Sequence, residues 1–141
     1  MYKYQHIQTE NIDLVKDFLL ELGSGAESFR YFDKRPVETV LKHVLAVVLT
    51  DETNKPIAYG HLDREGENLW LGIAVAEKAQ GLGLGKKVME YLIKYAQNKK
   101  EKSIALTVDK NNLRAIKLYE HYNFVRVLEK ETHYQYQYQV P

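Results

Sequence analysis

The stretch EKAQGLGLGKKVMEYL, residues 77–92, joins a glycine-rich turn to an amphipathic helix. Glycines alternate with leucines over residues 81–85, and two lysines follow before the apolar positions take up helical spacing. A turn that leads into a helix presents unpaired backbone N–H groups and the positive end of the helix dipole, and both favour an anion. Glycine also lets the backbone approach a ligand closely and adopt positive φ angles. The segment therefore predicts a phosphate-binding loop.

Two common phosphate-binding motifs do not fit this loop. A P-loop would need glycine at position 80 and serine or threonine at position 87, where Gln80 and Lys87 stand. A dinucleotide fingerprint would need its third glycine at position 86 or 88, where Lys86 and Val88 stand. A tight turn that needs glycine for its geometry alone is the remaining structural alternative.

The sequence around the loop predicts an alternation of strands and helices. Residues 69–75 alternate strictly between apolar and other positions, as in a half-buried strand, and residues 86–98 carry one apolar helical face. The other predicted elements are a strand at 2–8, helices at 10–22 and from about 36, strands at 44–50, 57–64 and 103–108, a helix at 111–122, and a hairpin at 124–131 and 133–140. The central strand, helix, strand unit predicts a parallel pair inside a mainly antiparallel sheet.

Two motifs in this arrangement resemble the signatures of one enzyme family. The loop itself, residues 80–85, reads Q-x-x-G-x-G between a predicted strand and a long helix, and it resembles the acyl-CoA-binding motif of the GNAT superfamily of N-acetyltransferases. Downstream, NNLRAIKLYEHYNF, residues 111–124, resembles the second signature of that superfamily, N-x-x-A-x-x-x-Y-E-x-x-x-F. The family commonly has glycine before the final phenylalanine, where this chain has Asn123, the non-glycine residue best suited to a left-handed helix end.

The resemblance implies a fold and an activity. We expect one acyl-CoA N-acyltransferase domain over residues 1–141, of the α/β (α+β) class, with a mixed, mainly antiparallel sheet of six to seven strands flanked by about four helices. The implied activity is transfer of an acetyl group from acetyl-CoA to a primary amine of a small molecule by direct attack in a ternary complex. A protein N-terminus or lysine as acceptor, and a non-catalytic acyl-CoA sensor, are the alternatives.

The resemblance also implies which residues contact coenzyme A. The pyrophosphate would lie on the backbone amides of the glycine loop, and the pantetheine arm would run beside the fourth strand. Asn112 and Ala115 would flank that arm, and Tyr119 would protonate the departing thiolate, although an inward-facing tyrosine there is equally consistent with a core role. The implied loop and strand contacts are Gln80, Gly81, Leu82, Gly83, Leu84, Gly85, Lys86, Ile73, Ala74 and Val75.

Neither the residue that would accept the proton of the amine nor the pocket that would bind the amine is marked by a motif. Many members of the family carry a glutamate on the fourth strand, but NLWLGIAV, residues 68–75, has no carboxylate. His61 and Asp63 share one face of the preceding strand and are the nearest candidates for a catalytic base, with Glu65 and Glu67 beyond them. A lone histidine on a strand is also commonly structural.

The segment SFRYFDKR, residues 28–35, interleaves aromatic and basic side chains where this family borders its acceptor site. Phe29, Arg30 and Tyr31 are the expected substrate contacts. Aromatic faces and arginines would suit an amine that carries a ring and an anionic group, such as an amino sugar or an amino acid derivative. Aromatic residues that merely anchor a loop, with the cations facing water, are the alternative.

The amino-acid composition limits the kinds of site and partner that the chain can have. The chain has 141 residues, a formal net charge of +1 and no cysteine, which excludes disulfides, thiolate metal ligands and cysteine nucleophiles. We expect no metal site. We expect no nucleic-acid partner because the chain has no excess of basic residues, and no membrane partner because its longest apolar run is residues 44–49. A cytoplasmic location and a monomer or homodimer complete the expectations.

Overall fold

A computed structural model describes residues 1–27, 29 and 31–141. Among them, one sheet contains the strands β1 (Lys3–His6), β2 (Leu45–Thr50), β3 (Pro56–Glu65), β4 (Asn68–Val75), β5 (Ser103–Asp109), β6 (Val125–Glu129) and β7 (His133–Gln139). The α-helices are α1 (Asp13–Leu20), α2 (Leu84–Asn98) and α3 (Leu113–His121), and 3₁₀ helices occur at Thr9–Asn11, Gly23–Glu27, Val37–Lys42 and Glu77–Ala79. The mixed α/β class and the seven-stranded, mainly antiparallel sheet confirm the prediction.

The predicted first helix is interrupted at its start. In place of a continuous helix over residues 10–22, a 3₁₀ turn at Thr9–Asn11 precedes α1, because the Asn11 side chain accepts a hydrogen bond from the Gln8 backbone N–H at 2.7 Å. The short helix expected near Pro36 is also a 3₁₀ helix. No helix in the described residues combines the length and the apolar character needed to span a bilayer.

The strand order is β1-β2-β3-β4-β5-β7-β6. All neighbouring pairs are antiparallel except β4 and β5, which confirms the predicted parallel pair. These two strands share the single register pair Trp70 and Ala105, whereas β5 and β7 pair from Ser103 to Asp109. Beyond Trp70, the carboxyl half of β4 therefore separates from β5 and leaves a gap in the sheet.

Each face of the sheet has its own apolar core. Helices α2 and α3 cover one face, where the alternating β4 residues Leu69 and Leu71 are buried. Helix α1 and the 3₁₀ helix Val37–Lys42 cover the other face, around Phe18 and Tyr59. The apolar stripe predicted for α2 is buried in the first core, at Val88, Met89, Leu92, Ile93 and Ala96.

Helix α2 approaches β3 closely at Gly60. A Cβ atom built on Gly60 would lie 2.4 Å from Val88 Cγ1 and 3.1 Å from Leu92 Cδ1. Both distances are shorter than normal carbon contacts, so only glycine at this position lets the helix pack against the strand.

Replacement of Gly60 by alanine tests this contact. We expect Gly60→Ala to lower the free energy of unfolding by about 1–3 kcal/mol, because the new methyl group forces α2 away from β3. The same change made together with Val88→Ala should cost less than the two single changes added, since the shorter side chain makes room. Urea denaturation of the four proteins measures the coupling, and strictly additive costs would contradict the proposed contact.

Candidate active site

A cleft of about 1140 Å³ opens where β4 and β5 separate. It follows β4 from Trp70 to Val75 and continues to the glycine loop and α3. The predicted strand contacts Ile73, Ala74 and Val75 line this cleft, as do most of the predicted loop residues. Leu82 is the predicted loop residue that does not line the cleft, and it is 59% exposed. The gap in the sheet therefore connects the two regions that the sequence marks separately.

The glycine loop presents open backbone at the start of α2. Gly81 and Gly83 have φ angles of +84° and +76°, and a Cβ atom built on either would have no neighbour within 4 Å. Gly83 is the N-cap residue of α2 and supplies no side-chain cap to the first turn. Packing does not explain these two glycines, whereas the uncapped N–H groups beside them fit an anionic ligand. Gly85 has a different role, since a Cβ atom there would meet Leu118 at 3.3 Å.

Cationic side chains surround this end of the cleft. Lys86 from α2 and Arg114 and Lys117 from α3 line it. Arg114 Nη1 also donates a hydrogen bond to Gln80 Oε1 at 3.2 Å and so ties the loop to α3. Positive charges next to uncapped helix amides favour a phosphate or pyrophosphate group. Arg114 and Lys117 were not among the contacts predicted from the sequence, although their spacing of three places them on one helical face.

The residues of the downstream motif shape both ends of α3. Asn112 is the N-cap, and its side chain accepts a hydrogen bond from the Ala115 N–H at 3.2 Å. At the other end Asn123 has a φ angle of +70°, which confirms the expected left-handed helix end, and Phe124 N–H donates to the Tyr119 carbonyl at 3.1 Å. Asn112 and Ala115 also line the cleft.

Tyr119 projects from α3 into the buried part of the cleft. Its side chain packs against Phe124 with ring centroids 5.9 Å apart, and the residue is 7% exposed. Burial raises the pKa of Tyr119 to about 12. The hydroxyl therefore keeps its proton at neutral pH and is available as a hydrogen-bond donor.

His61 lies under the middle of the cleft on the opposite side of β4 from Tyr119. The residue is 3% exposed, and its Nδ1 atom is 2.7 Å from the Tyr59 hydroxyl. A Cβ atom built on Gly72 would lie 2.6 Å from His61 Nε2, so this glycine makes room for the ring beside β4. Burial, with His43 and Arg35 nearby, holds the pKa of His61 well below its usual range. The imidazole is consequently neutral at pH 7.

A second buried histidine, His43, accompanies His61. The two ring centroids are 4.4 Å apart. His43 Nε2 is 2.6 Å from the Tyr31 hydroxyl and 4.0 Å from Asp63 Oδ2, and Tyr31 Oη donates to that carboxylate at 3.5 Å. His43 was not predicted from the sequence because it precedes β2, and only the register of β2 against β3 brings it beside His61 and Asp63.

Three described residues of the aromatic and basic segment border this region. Phe29, Tyr31 and Arg35 line the cleft together with Asp63 and Glu65 of β3. The Arg35 guanidinium lies 4.2 Å over the Tyr31 ring, and its Nη1 atom donates to the Tyr31 carbonyl at 2.9 Å. The predicted substrate contact Arg30 lies outside the described residues.

Comparison with a family model shows to which protein family this chain belongs. The model of the acetyltransferase (GNAT) family matches residues 13–124, which is most of the chain. The chain belongs to the GNAT family. In this GNAT protein the matched segment contains the glycine loop, both buried histidines and the whole of α3.

Individual relatives are more distant or match only part of the GNAT chain. Over 64 residues it is 39% identical to the spermine/spermidine N(1)-acetyltransferase of Bacillus subtilis (strain 168). This matched stretch covers 44% of this chain and 42% of that enzyme. The GNAT domain of S. lividans PAT has a TM-score of 0.86 at 14% identity, covering 98% of this chain and 90% of that one. The PaiA N-acetyltransferase from Thermoplasma acidophilum, solved in complex with coenzyme A, has a TM-score of 0.81 at 13% identity and covers 99% of both chains. The structural likenesses establish the fold.

The fit of His61 against Gly72 is directly testable. We expect Gly72→Ala to displace the imidazole and lower the free energy of unfolding by about 1–3 kcal/mol, because the added methyl group overlaps Nε2. In a His61→Ala background the same change should cost almost nothing. Denaturation of the single and double variants measures the difference, and an equal cost in both backgrounds would show that the two residues are not in contact.

Proposed function

We propose that the chain is an acetyl-CoA-dependent N-acetyltransferase that acetylates the primary amine of a small molecule by direct attack in a ternary complex. One observation carries the proposal: a single cleft joins the open amides of the glycine loop to a buried, neutral imidazole. An acetyl transfer to an amine needs both an anchor for the donor and an acceptor for the proton of the amine.

The donor half of the cleft fits coenzyme A. The amides of the glycine loop, with Lys86, Arg114 and Lys117 around them, would hold the pyrophosphate. The unpaired edge of β4 offers backbone groups to the pantetheine arm, much as an added strand would use them. Acetyl-CoA supplies the acetyl group as an activated thioester. The coenzyme A complex of the Thermoplasma relative supports this assignment.

His61 is the proposed proton acceptor. An amine attacks only in its unprotonated form, and a neutral imidazole beside β4 can take up the proton that it releases. The carboxylate of Asp63 is 27% exposed on the same face of β3. It would attract an incoming ammonium group and offset the charge that develops on the imidazole.

Tyr119 is the proposed partner of the departing sulfur. Its pKa of about 12 lies above that of an ordinary thiol, about 8.5, so tyrosine is the weaker acid of the two. Complete proton transfer to the thiolate is therefore uphill. Donation of a hydrogen bond to the sulfur needs no such transfer and stabilises the developing negative charge.

The acceptor half of the cleft favours an amine with an anionic group. Arg35 is fixed over the Tyr31 ring and has no ion-pair partner in the part of the chain described by the structure. Its guanidinium would bind a carboxylate or phosphate, while Phe29 and Tyr31 provide aromatic surface. The polyamine acetyltransferase relative suggests a cationic acceptor instead, and Asp63 and Glu65 are the residues that would bind it.

Binding of coenzyme A tests the loop. We expect Gly83→Val to weaken coenzyme A binding at least about tenfold, equivalent to about 1.4 kcal/mol, because a β-branched residue disfavours the positive φ angle that positions the amides. Isothermal titration calorimetry measures the dissociation constant.

Gly66→Val is the matched control. Gly66 also has a positive φ angle, +64°, with no neighbour within 4 Å of a built Cβ atom, but it lies in the turn between β3 and β4. It should lose similar stability while retaining its affinity for coenzyme A. Equal affinity of the two valine variants would refute the assignment of the loop.

Turnover tests the activity and the acceptor together. Thiol release from acetyl-CoA is measured with phenylalanine, with 2-phenylethylamine, which lacks the carboxylate, and with spermidine. We expect phenylalanine to be the better substrate of the matched pair and Arg35→Gln to remove that preference. His61→Gln should lower kcat/KM by about 100-fold or more for every accepted amine, because the proton acceptor is lost.

The outcomes separate the alternatives. Preferred acetylation of spermidine, lost on Asp63→Asn, would favour the polyamine reading over an anionic acceptor. Tight coenzyme A binding without turnover across a broad amine panel would favour a non-catalytic sensor. Acetylation of a peptide N-terminus or lysine in place of every small amine would move the acceptor to a protein.

A further inference from the structure

His43 carries a buried polar atom that has no hydrogen-bond partner among the described residues. Its side chain is 1% exposed, and its Nδ1 atom makes no hydrogen bond to any of the described residues. Such an unsatisfied atom destabilises a folded protein, and it is uncommon enough in native structures to need an explanation. A hydrophobic residue of similar size would fill the same space without this cost. The presence of an imidazole here therefore points to a role beyond packing.

The other ring nitrogen of His43 is held firmly. Its Nε2 atom is 2.6 Å from the Tyr31 hydroxyl, which in turn reaches Asp63 Oδ2 at 3.5 Å. Tyr31 and Asp63 both line the cleft, whereas the His43 ring lies behind them. The two cleft residues thus fix the position of the buried ring from one side.

The His43 ring also packs beside His61, so that the Tyr31, His43 and His61 rings contact one another. Three elements of the fold constrain the His61 imidazole: Tyr59 at Nδ1, Gly72 below Nε2, and the His43 ring with its centroid 4.4 Å away. Tyr31 is also close, with ring centroids 4.5 Å apart. Removal of His43 would take away one of these contacts.

We propose that His43 is a positioning residue for His61: it holds that imidazole in place and keeps it free of a proton until the amine delivers one. The proposal rests on the function proposed above, in which His61 is the proton acceptor. His43 itself does not touch substrate. Tyr31 and Asp63 hold His43, and His43 holds His61.

The charges around the pair support this role. Both rings are buried, and burial is the largest cause that lowers the pKa of each histidine. A proton on either ring repels a proton on the other, and Arg35 acts on both in the same direction. Asp63 opposes these effects at His43, and the tyrosines that face the pair, Tyr31 and Tyr59, stay neutral because their pKa values are raised.

The test is the titration of His61 in the free protein, followed by side-chain NMR, alongside the pH dependence of kcat/KM. His43→Phe keeps a ring of similar shape and removes the group that can take up a proton. We expect the pKa of His61 to rise by about half a unit or more, which is about threefold in proton affinity, and the acidic limb of kcat/KM to move to higher pH by the same amount. The KM for acetyl-CoA should not change.

Two further variants keep the test decisive. Tyr31→Phe retains the aromatic ring and removes only the hydroxyl that holds His43, so it should lower kcat without changing the KM for acetyl-CoA, even if His43→Phe folds poorly. His6→Phe on β1 is the matched control and should leave the titration of His61 unchanged. An unchanged His61 pKa in His43→Phe, or an unchanged kcat in Tyr31→Phe, would overturn the proposal.

The titration needs no turnover, so the two proposals fail in different ways. If no amine is acetylated, the proposed function is wrong, whatever His61 shows in the NMR experiment. If amines are acetylated but the His61 titration does not respond to His43, the function stands and the positioning role is wrong. A merely structural role for His43 would lower stability and activity at all pH values without moving the acidic limb.

Discussion

The site depends on the place where β4 and β5 stop pairing. The two strands run in parallel and share one register pair, Trp70 and Ala105, after which they separate. A paired edge would satisfy the N–H and C=O groups of β4 within the sheet and leave no room for a ligand. Separation exposes that edge and brings α3 against one wall of the resulting gap. The glycine loop follows the open end of β4 after the short 3₁₀ helix Glu77–Ala79, and it lines the same cleft.

The two faces of β4 differ in chemistry, because a strand presents alternate residues to its two sides. One side supplies the apolar core under α2 and α3, and the other contributes Gly72 to a buried polar cluster. That cluster combines two imidazoles, two tyrosine hydroxyls and a carboxylate within hydrogen-bonding or ring-contact distance. Neutral imidazoles are the form that such a buried environment favours. The small residue on β4 is what allows the cluster to reach the cleft.

Local patterns made most of the fold predictable, together with the geometry of the glycine loop and of the two ends of α3. The glycine loop, the helix N-cap Asn112 and the left-handed Asn123 depend on neighbouring residues, so their spacing could be read in the sequence. The partners of His61 depend on strand register and on a loop that folds back over the sheet, and short-range patterns carry neither. His43 was missed for this reason. The position of β7 between β5 and β6 likewise follows from long-range pairing that the hairpin sequence does not specify.

The contact between Gly60 and Val88 has a geometric consequence for the whole cleft. Val88 belongs to the second turn of α2, close to the amides of the glycine loop, and Gly60 is the residue next to His61. The close packing at Gly60 thus holds the start of α2, beside the glycine loop, against the strand that carries His61. Under the proposed function, the packing of α2 against β3 fixes the distance between the glycine loop and His61. In that case, an acyl thioester would be selected by its length as well as by its charge.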